Sequence, residues 1–387
     1  MQMREILDRL VAFDSVSARS NLPLMTWVRD VLAGHGIACD LIHDATGEKA
    51  NLLAVIGPRD VPGVVVSGHV DVVPVEGQVW TKPPFRLTEE GGRYYGRGTT
   101  DMKGFVACAI EAAIAAARRP LRAPFVLALS HDEEVGCRGV GTMIDRIAET
   151  LPPQAFAIVG EPSSGRIAVG HKGKVALRTT CTGRALHSSS APLSLNAIHL
   201  GVAMVAAVQA EQARAMAVGP FDADYEVACS TLHVGRFNGG VQVNIVAETC
   251  VLDWEIRSLA GDAPEARLAR IAAAAEGLVA PLRARFPEAA IMAERLWDYP
   301  GLDTAPDAPI VGFLRGLSGD NSPVTKVAFG TEGGMFAERL GLATAICGPG
   351  SMAQGHTADE WVAVEELQRA RATLAALVGR LEAGTLS

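Results

Sequence analysis

Three short segments concentrate side chains of the kind that hold metal ions, each where a predicted strand or tight turn ends. In Ser67-Gly68-His69-Val70-Asp71, the two outer ligand-type residues lie two apart on a predicted strand and so face the same way. His69 can then reach a metal ion while Asp71 accepts its second ring N–H, which fixes the tautomer and the ring orientation. A capped strand end is the plain alternative, because H-x-D is a common triplet. In Gly96-Arg97-Gly98-Thr99-Thr100-Asp101-Met102-Lys103-Gly104 the glycines let the backbone turn tightly ahead of a helix. Asp101 falls where a helix N-cap falls, so it reads either as a cap or as a ligand. His131-Asp132-Glu133-Glu134-Val135-Gly136 directly follows an apolar strand. Charged loops ordinarily face water, but this one leaves the carboxyl end of a buried strand, where open α/β sheets form ligand crevices. Two adjacent glutamates can divide labour: one binds a metal, and the other moves a proton from a metal-bound water.

Two further candidates complete the set. Glu161 ends a strand in Gly160-Glu161-Pro162-Ser163-Ser164, and His356 lies in the glycine-rich loop 348–357. Together His69, Asp101, Glu134, Glu161 and His356 offer two imidazoles and three carboxylates. Such a set suits a pair of divalent ions with nitrogen and oxygen ligands, zinc most naturally. No thiolate is needed. The 7 cysteines are odd in number, widely spaced and without a C-x-x-C pair, which reads as reduced thiols of a cytoplasmic protein.

The elements that must carry these residues follow from hydrophobic patterning. Residues 51–57, 63–73, 125–130 and 156–162 are apolar, largely β-branched runs that read as buried strands. A helix of mostly small apolar residues is predicted over 99–119, and short buried strands return at 324–328 and 342–347. Alternation of strands and helices predicts an α/β domain with a mostly parallel sheet. From 175 the texture changes to apolar–polar alternation, as in a sheet with one solvated face. A helix (193–214), two β-like runs, a helix (263–284) and a strand (290–296) follow. The order β-α-β-β-α-β is that of a ferredoxin-like sandwich. The chain therefore reads as a catalytic domain (1–175 and 295–387) interrupted by an inserted α+β domain (176–294).

Composition narrows the function classes. A length of 387 residues with 49% hydrophobic content supports two cores rather than disorder. The net charge of -8 argues against a nucleic-acid or anionic-membrane partner. No stretch reaches the ~18 uninterrupted apolar residues of a membrane span. The glycines at 136, 139 and 141 do not form the dinucleotide-binding order, and no phosphate-binding G-x-x-x-x-G-K-[ST] occurs. A metal-bearing binding protein is the non-catalytic alternative.

In one order along the chain stand HVDVVP (69–74), GRGTTDMKG (96–104), DEE (132–134), GEPSS (160–164), HKGK (171–174), LHSS (186–189) and GPGSMAQGHTADEW (348–361). This series resembles that of the di-zinc amidohydrolases and peptidases, which include acetylornithine deacetylase, succinyl-diaminopimelate desuccinylase, aminoacylases and glutamate carboxypeptidases. Gly330-Thr331-Glu332 and the H-x-x-D-E tail (356–360) are similar to the acetylornithine deacetylase branch in particular. The resemblance implies that Asp101 bridges two metals, with His69 and Glu161 at one and Glu134 and His356 at the other. It implies that Glu133 is the general base acting on a metal-bridged water, with Asp71 behind His69. It further implies a cis peptide between Asp101 and Met102. His187 matches a donor to the tetrahedral oxyanion, often supplied by the partner subunit. Asn244 and Arg257 match contacts to a substrate carboxylate, a role that suits the planar fork of arginine. Glu332 offers an anion for a free amine on the substrate, or simply a surface turn. Val70, Thr100 and His131 depart from the more usual Thr, Ala and Ser or Thr, and none of these positions is a ligand. The implied activity is metal-dependent hydrolysis of N2-acetyl-L-ornithine to acetate and L-ornithine, as in arginine biosynthesis. Zinc or cobalt would serve, and the inserted domain would act as lid and homodimer contact, through its helix at 193–214 or its edge strand. A desuccinylase, a general aminoacylase or a dipeptidase are the neighbouring alternatives.

Overall fold

The computed structural model describes residues 1–386. These fall into two compact units: Met1–His171 with the segment from Leu302 onward, and Lys172–Gly301 between them. The second unit begins before residue 176 and ends after residue 294 because its first and last strands in chain order are longer than their apolar runs.

In the first unit, α1 (Met3–Ala12), α2 (Leu22–Ala33), β1 (Cys39–His43), β2 (Ala50–Ile56) and β3 (Val64–His69) open the chain. A small hairpin of β4 (Thr88–Glu90) and β5 (Arg93–Tyr95) precedes α3 (Lys103–Ala116), β6 (Phe125–Ser130), α4 (Val140–Thr150), β7 (Phe156–Pro162) and β8 (Ala168–His171). The second unit holds β9 (Gly173–Thr182), α5 (Ala197–Val218), β10 (Thr231–Gly239), β11 (Thr249–Ser258), α6 (Pro264–Val279) and β12 (Ala290–Tyr299). The chain then returns with β13 (Leu302–Asp303), α7 (Pro309–Ser318), β14 (Thr325–Val327), α8 (Gly333–Leu340), β15 (Ala343–Gly348), β16 (Trp361–Ala363) and α9 (Val364–Ala383).

The large sheet runs β1-β2-β6-β3-β7-β15-β8-β13, with β14 against β8. Its centre, β6-β3-β7-β15, is parallel, as the apolar runs predict. Antiparallel pairs lie on either side, at β1-β2-β6 and β15-β8-β13. Every residue of β3, β6 and β7 is buried, which explains their unbroken apolar sequence. Helix α3 is buried except at Glu111 and Ala115, because it packs on β3 and β6 and also against α1 and α9. It starts at Lys103 rather than near residue 99, since residues 99–102 form the turn that presents Asp101.

The second unit has the β-α-β-β-α-β order, and its sheet runs β10-β11-β9-β12 with all pairs antiparallel. Strand β11 alternates strictly between buried and partly exposed residues. Its inner face, Cys250, Leu252, Trp254 and Ile256, packs with Leu200, Met204 and Val208 of α5 and Ile271 and Val279 of α6. All seven cysteines are free thiols. Among the described residues, no helix is long and apolar enough to cross a membrane.

Candidate metal centre

The ends of two adjacent parallel strands, β3 and β7, and three loops bring the predicted ligands together. His69 is the last residue of β3, and its ring is 1% exposed. Its Nδ1 lies 2.9 Å from the backbone oxygen of Asp71, so this nitrogen carries the proton and donates. That leaves Nε2 facing Asp101 Oδ1 at 3.0 Å and Glu161 Oε1 at 3.7 Å. Glu161 stands near the end of β7, one residue after Gly160, where an added Cβ would lie 1.9 Å from the Phe105 ring. Asp101 turns its other oxygen, Oδ2, to His356 Nε2 at 3.1 Å. The same His356 nitrogen is 3.1 Å from Glu134 Oε2. The two oxygens of Asp101 thus address two different imidazoles, each with one further carboxylate beside it. Ligand atoms of His69, Asp101 and Glu134 lie within 4.8 Å of one another, as do those of His69, Glu133 and Glu161.

Asp101 is not the cap of α3. Residue Met102 occupies that position, and no side chain caps the helix. The peptide between Asp101 and Met102 is cis, as the sequence resemblance implies. The carboxylate of Asp71 does something different from the expected contact to His69. Its Oδ1 is 3.6 Å from the ring nitrogen, too far for a hydrogen bond. Instead it accepts from the backbone N–H groups of Glu133 (3.2 Å) and Glu134 (3.3 Å) and from the Ser17 hydroxyl (2.7 Å). Its own carbonyl oxygen holds the imidazole, so one residue fixes both His69 and the Glu133–Glu134 turn. Ser17 is a contributor that no local pattern in the sequence announces.

Packing so many acids in one buried place shifts their protonation. Burial, then repulsion from Glu134 and Asp101, raises Glu133 well above the usual carboxylate range. Burial and the charges of Asp101 and Glu133 raise Glu161 likewise. Burial, then Asp101, lifts Glu134 to about 7. Against its own burial, Asp101 is held low by hydrogen bonds to His356 and His69. Bonds to Asp101 and Glu134 raise His356 to about 10. For His69, burial opposes the charge, but the nearby carboxylates of Asp101 and Asp71 prevail and the value is well raised. An excess of buried carboxylate oxygen around two imidazoles, with no lysine or arginine among them, fits bound divalent cations. The Cys137 thiol, at a positive φ of 53°, donates to Glu133 Oε1 at 3.4 Å.

The remaining candidates are placed as follows. Glu332 lies in the same unit, but its carboxyl is 1% exposed and accepts from Ser67 Oγ at 3.2 Å. It is an interior group and not a surface turn. His187 and Asn244 belong to the second unit, on adjoining loops joined by Ser188 N donating to Asn244 O at 2.9 Å. The His187 ring is exposed and lies 2.8 Å from Ser189 Oγ. Arg257, on β11, donates to Glu255 Oε1 at 2.9 Å.

Comparison with known proteins then decides the family. The family model described as peptidase family M20/M25/M40 matches residues 65–380. The chain belongs to peptidase family M20/M25/M40. It is 32% identical, over 99% of its length and 98% of the relative's, to the acetylornithine deacetylase of Myxococcus xanthus. A metallo-carboxypeptidase of the M20 family from Sulfolobus solfataricus has the same fold, with a TM-score of 0.79 at 17% identity over 99% of this chain and 100% of that one. A Bacillus subtilis M20 protein, described as a dinuclear metal-binding peptidase, gives a TM-score of 0.67 at 13% identity over 97% and 96%. This M20 protein is a metal-dependent amidohydrolase.

The raised carboxyls have a measurable consequence. A carboxyl whose value is higher in the folded than in the unfolded state contributes stability that is full below its ordinary value and lost as pH rises through the folded one. For Glu134 that interval runs from 4.5 to about 7. Glu133 and Glu161 act in the same sense. The metal-free protein is therefore expected to lose stability between those pH values, read as a falling urea midpoint. Saturating zinc should abolish the fall, because the cation stabilises the carboxylate forms. A metal-free midpoint that is flat or rises across this interval contradicts the arrangement.

Proposed function

We propose that this enzyme hydrolyses the amide bond of N2-acetyl-L-ornithine to acetate and L-ornithine, using two divalent metal ions held by His69, Asp101, Glu134, Glu161 and His356. Asp101 carries the metal part of this reading: its oxygens lie 3.0 Å from the His69 imidazole and 3.1 Å from that of His356, which suits a bridge between two ions. The substrate part is supported by full-length similarity to acetylornithine deacetylases. The donor set of nitrogen and oxygen favours zinc, with cobalt also compatible. When bound, such ions supply Lewis acidity at the amide carbonyl and make a water acidic near neutral pH.

The residues divide the remaining work. Glu133 takes a proton from the attacking water, whose oxygen bonds to the amide carbon. Glu133 then gives that proton to the nitrogen as the C–N bond breaks, releasing acetate and the free amine. Asp71 keeps Glu133 in place through the backbone N–H it accepts from. In this reading His187 donates to the oxyanion, and Asn244 and Arg257 receive the substrate carboxylate. Arg257 would do so while sharing Glu255. Glu332, an interior carboxyl, would answer a substrate amine only if its seal opens on binding.

We extend the proposal to a cytoplasmic homodimer formed through the second unit. In support of the dimer, β10 is an edge strand, and Phe237 on it and Val202 on the neighbouring α5 are 38% and 57% exposed. Pairing there would cover both the strand edge and this apolar surface. Light scattering should give twice the chain mass, and Val202→Asp should reduce it to one; a monomeric wild type contradicts the dimer.

Two measurements test the reaction. Turnover is compared on N-acetyl-ornithine, N-acetyl-methionine and N-succinyl-diaminopimelate; a preference of about tenfold or more in kcat/KM (~1.4 kcal/mol) for either competitor overturns the substrate assignment. Glu133→Gln should keep its metal and lose roughly 10²–10⁴-fold in kcat. Near-normal turnover would remove Glu133 as the base.

A further inference from the structure

The buried ion pair of Arg97 and Glu360 has no part in the chemistry described so far. Both side chains are 1% exposed, and Arg97 Nη1 donates to Glu360 Oε2 at 2.6 Å. The other oxygen, Oε1, accepts two backbone N–H groups, from Thr100 at 2.9 Å and from Asp101 at 3.1 Å. The guanidinium reaches further. It donates to Gln78 Oε1 (2.6 Å), to the carbonyl of Pro74 (3.3 Å) and to that of Thr357 (3.4 Å). Gln78 Nε2 in turn donates to the carbonyl of His356 at 2.7 Å. Backbone bonds reinforce the seam: Gly96 N donates to Glu360 O at 2.9 Å.

This network holds the backbone of Asp101 on one side and that of His356 on the other. Those two residues meet through Asp101 Oδ2 and His356 Nε2. An acceptor for the Asp101 N–H fixes where its carboxylate points, and the guanidinium ties that position to the loop 356–360. We propose that Glu360 is a positioning residue for the metal centre, acting through its Oε1 acceptance of the Thr100 and Asp101 N–H groups. The proposal rests on the reading of Asp101 and His356 as metal ligands. Outer partners that orient ligands in this way are typically worth about 10–100-fold in metal affinity.

The alternative is that Glu360 only neutralises Arg97. Removing one member of a buried pair destabilises a fold whatever else the residue does, so a single neutral substitution cannot separate the two roles. Two variants can. Glu360→Asp keeps the charge but withdraws the acceptor by one methylene. Arg97→Met with Glu360→Gln removes both charges and keeps an acceptor oxygen at full reach. Zinc stoichiometry and affinity are measured by chelator competition, with thermal melts, kcat and KM alongside.

Positioning predicts that Glu360→Asp loses roughly tenfold or more in affinity for at least one of two ions, with kcat falling and KM within about threefold. The paired Met/Gln variant should hold both ions within about threefold of wild type. The reverse pattern, or wild-type affinity for both ions in Glu360→Asp, overturns the proposal. Should Glu360→Asp fail to fold, Arg97→Met with Glu360→Leu decides instead, because it removes both charges and the acceptor oxygen as well: a folded protein that has lost roughly tenfold or more in affinity for an ion supports the proposal, and retention of both ions within about threefold overturns it. If wild type itself binds no zinc, it is the metal-ligand reading that fails.

Discussion

One carboxylate facing two imidazoles governs this structure. Asp101 sends its oxygens to His69 and His356, and Glu161 and Glu134 crowd the same two rings. Two like charges about 4 Å apart repel by about 4 kcal/mol at the effective dielectric of a protein surface, and more in a drier place. With Glu133 alongside, the cluster is costly unless protons or cations occupy it. Protons can occupy it at low pH, and in the proposed reading divalent ions would replace them at neutral pH.

The scaffold is arranged to hold that cost. β3 and β7 deliver His69 and Glu161 from the middle of a parallel sheet whose strands are buried on both faces. Val64, Val66, Leu127 and Leu129 are fully buried, each worth roughly 1.5–3 kcal/mol relative to leaving it exposed. Ligands on loops are fixed by polar contacts instead. Asp71 accepts from the Glu133 and Glu134 backbone, and Glu360 accepts from that of Asp101.

What the sequence disclosed and what it hid divide along physical lines. The apolar runs of β2, β3, β6 and β7 are legible because strands buried on both faces must be apolar throughout. The β-α-β-β-α-β order is legible because β9 and β11 alternate with period two. Short edge strands such as β1 and β13 are not, since they are partly exposed and carry no continuous pattern. Ligand types at strand ends and in the loops beyond them announce a candidate metal centre, and the five candidates converge. Their supports do not announce themselves: Ser17 and Asp71 are 54 residues apart, and Glu360 and Asp101 are 259 apart. Asp71 shows the limit of local geometry. Two-residue spacing places its side chain near His69, but the N–H groups of a turn more than sixty residues away compete for its oxygens and win.

Five side chains would together hold a binuclear cation centre. The most direct measurement is a crystal structure of the zinc-loaded protein with anomalous scattering recorded at the zinc edge. Two peaks about 3.5–4 Å apart are expected, with Asp101 contacting both, His69 and Glu161 at one, and Glu134 and His356 at the other. A single peak, or zinc held by other residues while these five stay apart from it, would contradict it.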